Sequence, residues 1–140
     1  LVERDGKSRS IHLDYITTNE VRHALVTNVD RKSNLMTDES NVYSGVGQEF
    51  ASHGTVNHSI REYGRGEIST NTVEGFFSIF KRGVIGTYHH MSEAHLGRYC
   101  REFDLRYNTR EMTDSERASV IVKGMEGKRL TYRRTNESLV

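Results

Sequence analysis

Two runs of helical spacing joined by a glycine-punctuated link constrain this chain more than any other feature. Val73, Phe76, Phe77 and Phe80 recur at i, i+3, i+4 and i+7, and Leu96, Tyr99, Cys100, Phe103 and Tyr107 make a second apolar seam. Side chains on that period share one helix face, so each run has a stripe to bury. The spacing predicts one helix from Asn71 and another over Ser92–Arg110, linked through Gly83–His90. All four residues of the first stripe are expected to be buried, packed against a sheet and the second helix. Asn71, Glu74, Ser78 and Lys81 form an adjoining polar stripe. Average usage would give a chain of this size about seven prolines, yet it has none, so glycine is left to stop the helices.

Upstream the periods alternate. Leu1–Arg4 and Ser10–Ile16 flank Asp5-Gly6, a strong hairpin signal, and Ile11, Leu13 and Tyr15 alternate with His12 and Asp14 as on a sheet with one drier face. An upstream strand is expected before Leu1. Thr17 followed by Glu20 reads as a capping box, and Val21, Leu25 and Val29 carry a helix over residues 18–30. Asn34–Thr37 reads as a strand that delivers Asp38. A short helical segment through Val42 and Tyr43 follows, then a β stretch at Thr55–Ile60 and a glycine-rich loop at Glu62–Ser69. Ser92 and Thr113 are the expected N-caps further on.

With 34% hydrophobic residues and a mean hydropathy of −0.69, the chain is one domain or part of one, with a modest core. No run is long enough to span a membrane, and Leu1-Val2-Glu3-Arg4 lacks the regions of a signal peptide, so the expectation is a soluble protein. Cys100 is the single cysteine, which excludes an internal disulfide framework and points to the cytoplasm. Residues 1–60 hold 6 Lys and Arg against 8 Asp and Glu, while residues 61–140 hold 14 against 11. The late excess (Arg98, Arg101, Arg106, Arg110, Lys123, Lys128, Arg129, Arg133, Arg134) suits a polyanionic partner. It suits equally a solvated helix face balanced by Glu93, Glu102 and Asp104.

Asp38, at a strand end, and Glu74, on a helix edge, are the candidate chemical pair, because a helix crossing a strand end can bring two carboxylates to one divalent cation. Other roles stay open at this level. Asn71-Thr72-Val73-Glu74 also fits an N-cap with a glutamate three residues on, and Asp38 also fits a cap with Glu39 as a first-turn acid. His53, His58, His89, His90 and His95 offer a rival site, but one cysteine and no clear helical His pair make a poor zinc centre. Cys100 lies on an apolar seam, where a thiol is usually inert.

The stretch Thr70–Gly83, then Gly86-Thr87-Tyr88-His89-His90, then Tyr99 with Glu102–Arg110, resembles the ISXO-type DDE transposases of bacterial insertion sequences. Val2-Glu3-Arg4, Thr37-Asp38-Glu39 with Tyr43, and Thr55-Val56-Asn57-His58-Ser59 match the same family in the same order. The resemblance runs from residue 2 to residue 110, so residues 1–110 are expected to form a partial catalytic domain and residues 111–140 a helical and basic tail.

The resemblance implies an α/β fold of the ribonuclease H type, a mixed sheet flanked by helices, with its first strand missing here. Three acids of that family hold two magnesium ions about 4 Å apart. Asp38 matches the second acid and Glu74 the third; the first would precede Leu1. Asp14 is read as a solvent-facing sheet residue. The implied activity is DNA transposition, a water cutting at a transposon end and the freed 3′-hydroxyl then attacking target DNA. Double-stranded DNA is the implied partner, held at its backbone by Lys81, Arg82, Arg106 and Arg110, and the complete protein is expected to be a homo-oligomer. His58 and Asn71 would support the acids, His58 being otherwise a packed strand histidine. Alone, the 140 residues are expected to be inactive. The rival readings are a catalytically dead remnant that only binds DNA, and a related nuclease that does not transpose.

Overall fold

The computed structural model describes residues 1–128 except Tyr63, and within them helices and short strands are interleaved in a mixed α/β arrangement. Helix α1 (Thr18–Asn28) starts where Thr17 is extended and its hydroxyl accepts the Glu20 N–H at 3.3 Å. The Glu20 carboxylate takes the Tyr15 N–H and does not close the box onto Thr17. Leu25 is buried with Leu35, Val46 and Phe50, and Val21, Val29 and Tyr43 pack around them.

Strand β1 (Asn34–Thr37) pairs in parallel with β2 (Ser52–Thr55), Asn34 opposite Ser52 and Thr37 opposite Thr55. Parallel strands need a crossover, usually helical. Here residues 38–51 supply it with two 3₁₀ turns, Asn41–Tyr43 and Val46–Glu49. Val46 and Phe50 on this crossover fill the core beneath Leu35. Glu49 is held by Arg22 of α1, whose Nη2 lies at 2.9 Å, and by Arg31.

Sequence spacing misplaces two elements here. The second strand lies at Ser52–Thr55, and the stretch expected to be β, Thr55–Ile60, turns instead into a 3₁₀ turn at His58–Ile60. The expected loop contains a small antiparallel hairpin, β3 (Gly64–Arg65) with β4 (Ile68–Ser69), turning at Gly66, where φ is +61°. Gly54 lets β4 sit close to β2, since a Cβ there would come within 2.7 Å of the Ile68 side chain.

Helix α2 (Asn71–Gly83) continues through a π-helical turn (Val84–Tyr88) towards α3 (Glu93–Asn108). Aromatic edges join them: Phe76 meets Tyr107 at 5.5 Å, Phe80 meets Phe103 at 5.0 Å, and Tyr88 meets Tyr99 at 4.7 Å. Gly83 makes the contact possible, because a Cβ there would overlap the Phe103 ring. The four-residue stripe is not buried throughout. Phe76 is 7% exposed but Phe77 is 51% exposed. The two stand about 100° apart around the helix, and the aromatic layer of α3 covers the Phe76 edge.

The N-terminal hairpin forms, with Asp5 in the left-handed region and Val2 bridged to Ser8. Its return limb is shorter than expected: residues 10–16 form no strand, and Ile11 and Tyr15 are exposed. What fixes the segment is α3. Ser8 and Ser10 both donate hydroxyl hydrogen bonds to Asp104, at 2.8 and 3.0 Å, and Asn108 exchanges hydrogen bonds with the Ser8 backbone. Helix α4 (Asp114–Met125) opens on a capping box between Thr113 and Glu116. Arg129, Arg133 and Arg134 of the basic tail lie outside the described residues.

Phe76→Ala should cost about 3–5 kcal/mol in chemical denaturation, and Phe77→Ala less than about 1 kcal/mol. Gly83→Ala should destabilise, although alanine is ordinarily the better helix former. Equal losses at Phe76 and Phe77 would contradict this packing.

Candidate active site

Asp38 follows the last residue of β1, where pairing with β2 fixes the backbone. Its Oδ1 accepts the Ser40 N–H at 3.1 Å, a local turn that caps no α-helix. Behind it, the Thr37 hydroxyl donates to the Asp38 carbonyl at 2.9 Å and lies 2.9 Å from His53 Nε2. Burial pushes the Tyr43 hydroxyl pKa up, and the nearby Asp38 charge adds to the rise. Asp38, Glu39, Tyr43 and His53 line an open depression of about 640 Å³. Glu74 does not line it.

The capping alternative for Glu74 is resolved by where α2 begins. Thr70 is the N-cap, so Glu74 is the fourth helical residue and not the third. Its carboxylate accepts the hydroxyl of buried Thr70 at 2.6 Å, and its Oε1 lies 3.3 Å from His58 Nε2. Thr70 Oγ1 is also 3.3 Å from that nitrogen. Glu74 is therefore positioned by side chains and not spent on helix-end N–H groups.

His58 thus touches one of the acids, from a 3₁₀ turn and not from a strand. Fully buried Val56 anchors the approach to that turn, and Asn57 Oδ1 accepts the Ser59 N–H at 3.0 Å. Asn71 is exposed at the start of α2, its own N–H donating to Ser69 Oγ at 3.1 Å.

Glu39 is the residue that sequence reasoning missed, having placed it only as a first-turn acid. Its carboxylate accepts the His58 N–H at 3.0 Å, the Ser59 N–H at 3.2 Å and the Ser59 hydroxyl at 2.7 Å. The Ser59 hydroxyl above all, with the backbone N–H groups, brings its pKa down to about 2. Nothing in the spacing marks a contact between residues so far apart in the chain. The structure links Asp38 to Glu74 through this neighbour and His58.

The four cations of the expected DNA contact differ in their engagement. Lys81 and Arg82 are exposed in the last turn of α2 and make no ion pair among the described residues. Arg106 pairs with Glu102 at 2.8 Å, and Glu102 also accepts the Tyr88 hydroxyl. Arg110 lies over the Tyr107 ring at 4.5 Å and donates to the Gly6 carbonyl at 3.0 Å. Asp14 is exposed as expected, although in a bend and not on a sheet. Burial raises the Cys100 thiol pKa, as suits an inert side chain.

Carboxylate oxygens suit a hard divalent cation, but two acids are a short set. Among the described residues no group of three or more His, Cys, Asp or Glu side chains is placed to hold a metal ion. No described helix is long and apolar enough to cross a membrane.

The family model of the ISXO2-like transposase domain matches residues 1–108, and the chain belongs to this family of transposase domains. DNA transposition is the process such domains serve. Comparison with curated proteins and with solved structures finds no match.

Glu39 gives a pH signature. Its folded pKa of about 2 lies below the ordinary 4.5, so its contribution is fully present above 4.5 and is lost as pH falls through about 2. The His58 and Ser59 amide resonances should therefore move as pH falls through about 2 in the folded native chain, and that movement should be absent in Glu39→Gln. A flat profile in the native chain would contradict the contact.

Proposed function

We propose that this chain carries two of the three acids of a DDE transposase with a ribonuclease H-like fold, one that cuts DNA at insertion-sequence ends and joins the freed 3′-hydroxyl to target DNA. The observation that carries the reading is that Asp38 and Glu74 both fall inside the matched stretch while neither serves as a helix cap. A strand end and the first turns of a helix are rigid places from which to aim carboxylates. Asp38 and Glu74 would each give carboxylate oxygens to magnesium. On this reading the remaining acid would come from a strand upstream of Leu1.

Held by these acids, divalent cations would supply Lewis acidity and lower the pKa of an attacking water or hydroxyl. The chain's own part is to hold the acids and the DNA. Thr70 fixes one Glu74 oxygen by its hydroxyl. Ser40 fixes one Asp38 oxygen through its backbone, and the other takes no hydrogen bond among the described residues. Lys81 and Arg82 would be the first phosphate contacts, since among the described residues they have no ion pair to give up on binding. Arg106 and Arg110 would join at the expense of Glu102 and of the Gly6 carbonyl. Such contacts set affinity and register without reading sequence.

A DNA-binding module without chemistry is the second reading, which the exposed Lys81 and Arg82 would serve equally well. One pair of assays separates the two. The 140-residue chain should bind duplex DNA weakly and not cleave it with magnesium, and Lys81→Ala with Arg82→Ala should reduce the salt slope by about 2, roughly one per phosphate contact. A chain extended upstream by the strand carrying the first acid should cleave transposon-end DNA. Asp38→Asn or Glu74→Gln should abolish that cleavage and leave binding intact. An extended chain that binds but never cleaves would establish the second reading, and cleavage by the short chain that depends on Asp14 would overturn the assignment of acids.

A further inference from the structure

We propose that Glu39 is a positioning residue that couples the two acids, holding the turn that hands His58 to Glu74. The inference rests on the reading of Asp38 and Glu74 as the site acids, and it concerns a side chain to which the family resemblance gives no role. Glu39 directly follows Asp38, so its backbone shares the end of β1. Its carboxylate reaches across to the 3₁₀ turn, taking the His58 N–H at 3.0 Å, the Ser59 N–H at 3.2 Å and the Ser59 hydroxyl at 2.7 Å. The Glu39 carboxylate, just beyond the end of β1, thus takes the His58 N–H that opens the turn, and it shares the Ser59 N–H with Asn57 Oδ1, which lies at 3.0 Å.

From the turn, His58 Nε2 stands 3.3 Å from Glu74 Oε1 and 3.3 Å from Thr70 Oγ1. The chain of contacts runs from Asp38 through one peptide bond to Glu39, across to His58 and on to Glu74. A displacement of the β1 end therefore moves the His58 ring against Glu74. Partners of this kind orient ligating side chains without touching the reacting atoms, and their loss typically costs 10–100-fold. Position matters as much as charge. Aspartate at 39 is one methylene too short to span the gap, and glutamine presents an N–H₂ where the turn also presents donors.

The first test uses the 140-residue chain, ¹⁵N-labelled, at one fixed pH where it is folded. The His58 ring nitrogen resonances are compared in the native chain, Glu39→Ala, Glu39→Gln and Glu74→Gln, with melting measured on each. Glu39→Ala and Glu39→Gln should move the ring signals in the same direction as Glu74→Gln, with the chain still folded at the temperature of measurement. Ring signals unchanged in both Glu39 variants, with the Ser59 amide displaced, would overturn the coupling. If Glu39→Ala fails to fold, Glu39→Gln decides. The second test uses the upstream-extended chain with magnesium and transposon-end DNA. Glu39→Gln should reduce the cleavage rate at least tenfold with DNA affinity unchanged, and Glu39→Asp should not rescue it. Abolition by Asp38→Asn together with a native rate for Glu39→Gln would sink the positioning role alone. Native cleavage by Asp38→Asn would sink the functional reading on which it rests.

Discussion

The parallel pairing of Asn34–Thr37 with Ser52–Thr55 is the constraint on which the rest of the described structure depends. Two parallel strands cannot be joined by a tight turn, so residues 38–51 have to travel back along the pair. That return path is where Asp38 and Glu39 sit, and where Val46 and Phe50 enter the core beneath Leu35. Arg22 and Arg31 close on Glu49 at its far end. An exposed ion pair of this kind is worth little by itself. Its use here is to hold a connection that lacks the usual α-helix.

A second set of contacts carries the other acid. Glu74 rides on α2, and α2 is held to α3 by aromatic edges at Phe76 and Phe80 and by the close approach at Gly83. α3 in turn straps down the N-terminal hairpin through Asp104 and Asn108. Among these elements, the contacts between Glu39, His58 and Glu74 tie the strand end to the helix.

What the sequence made legible was local. Helix α1, strand β1, α3 and the Thr113 cap follow from spacing and cap chemistry that act within a few residues. Ser52–Thr55 escaped because Ser-His-Gly-Thr has no apolar alternation and is a strand only through its partner. Residues 10–16 misled for the converse reason: Ile11, Leu13 and Tyr15 alternate, yet no strand lies beside them among the described residues. Phe77 belongs to a correct helical stripe, but which edge of a stripe is covered depends on the element that packs there. At the candidate site, Asp38 is proposed from its strand end, Glu74 from its helix edge, and both from resemblance. The Glu39 contact is not legible in the sequence, because it crosses the fold and is set by how the crossover and the His58 turn approach each other.

On the proposed reading, Asp38 and Glu74 serve one cation-binding site. Manganese, standing in for magnesium, titrated into the ¹⁵N-labelled chain tests it most directly, read as paramagnetic broadening of backbone amides. Broadening should appear together around Thr37–Glu39 and around Thr72–Gly75, and Asp38→Asn should weaken it around Glu74 as well as around its own strand end. Broadening near each acid that persists when the other is neutralised would show two separate surface sites and contradict the account.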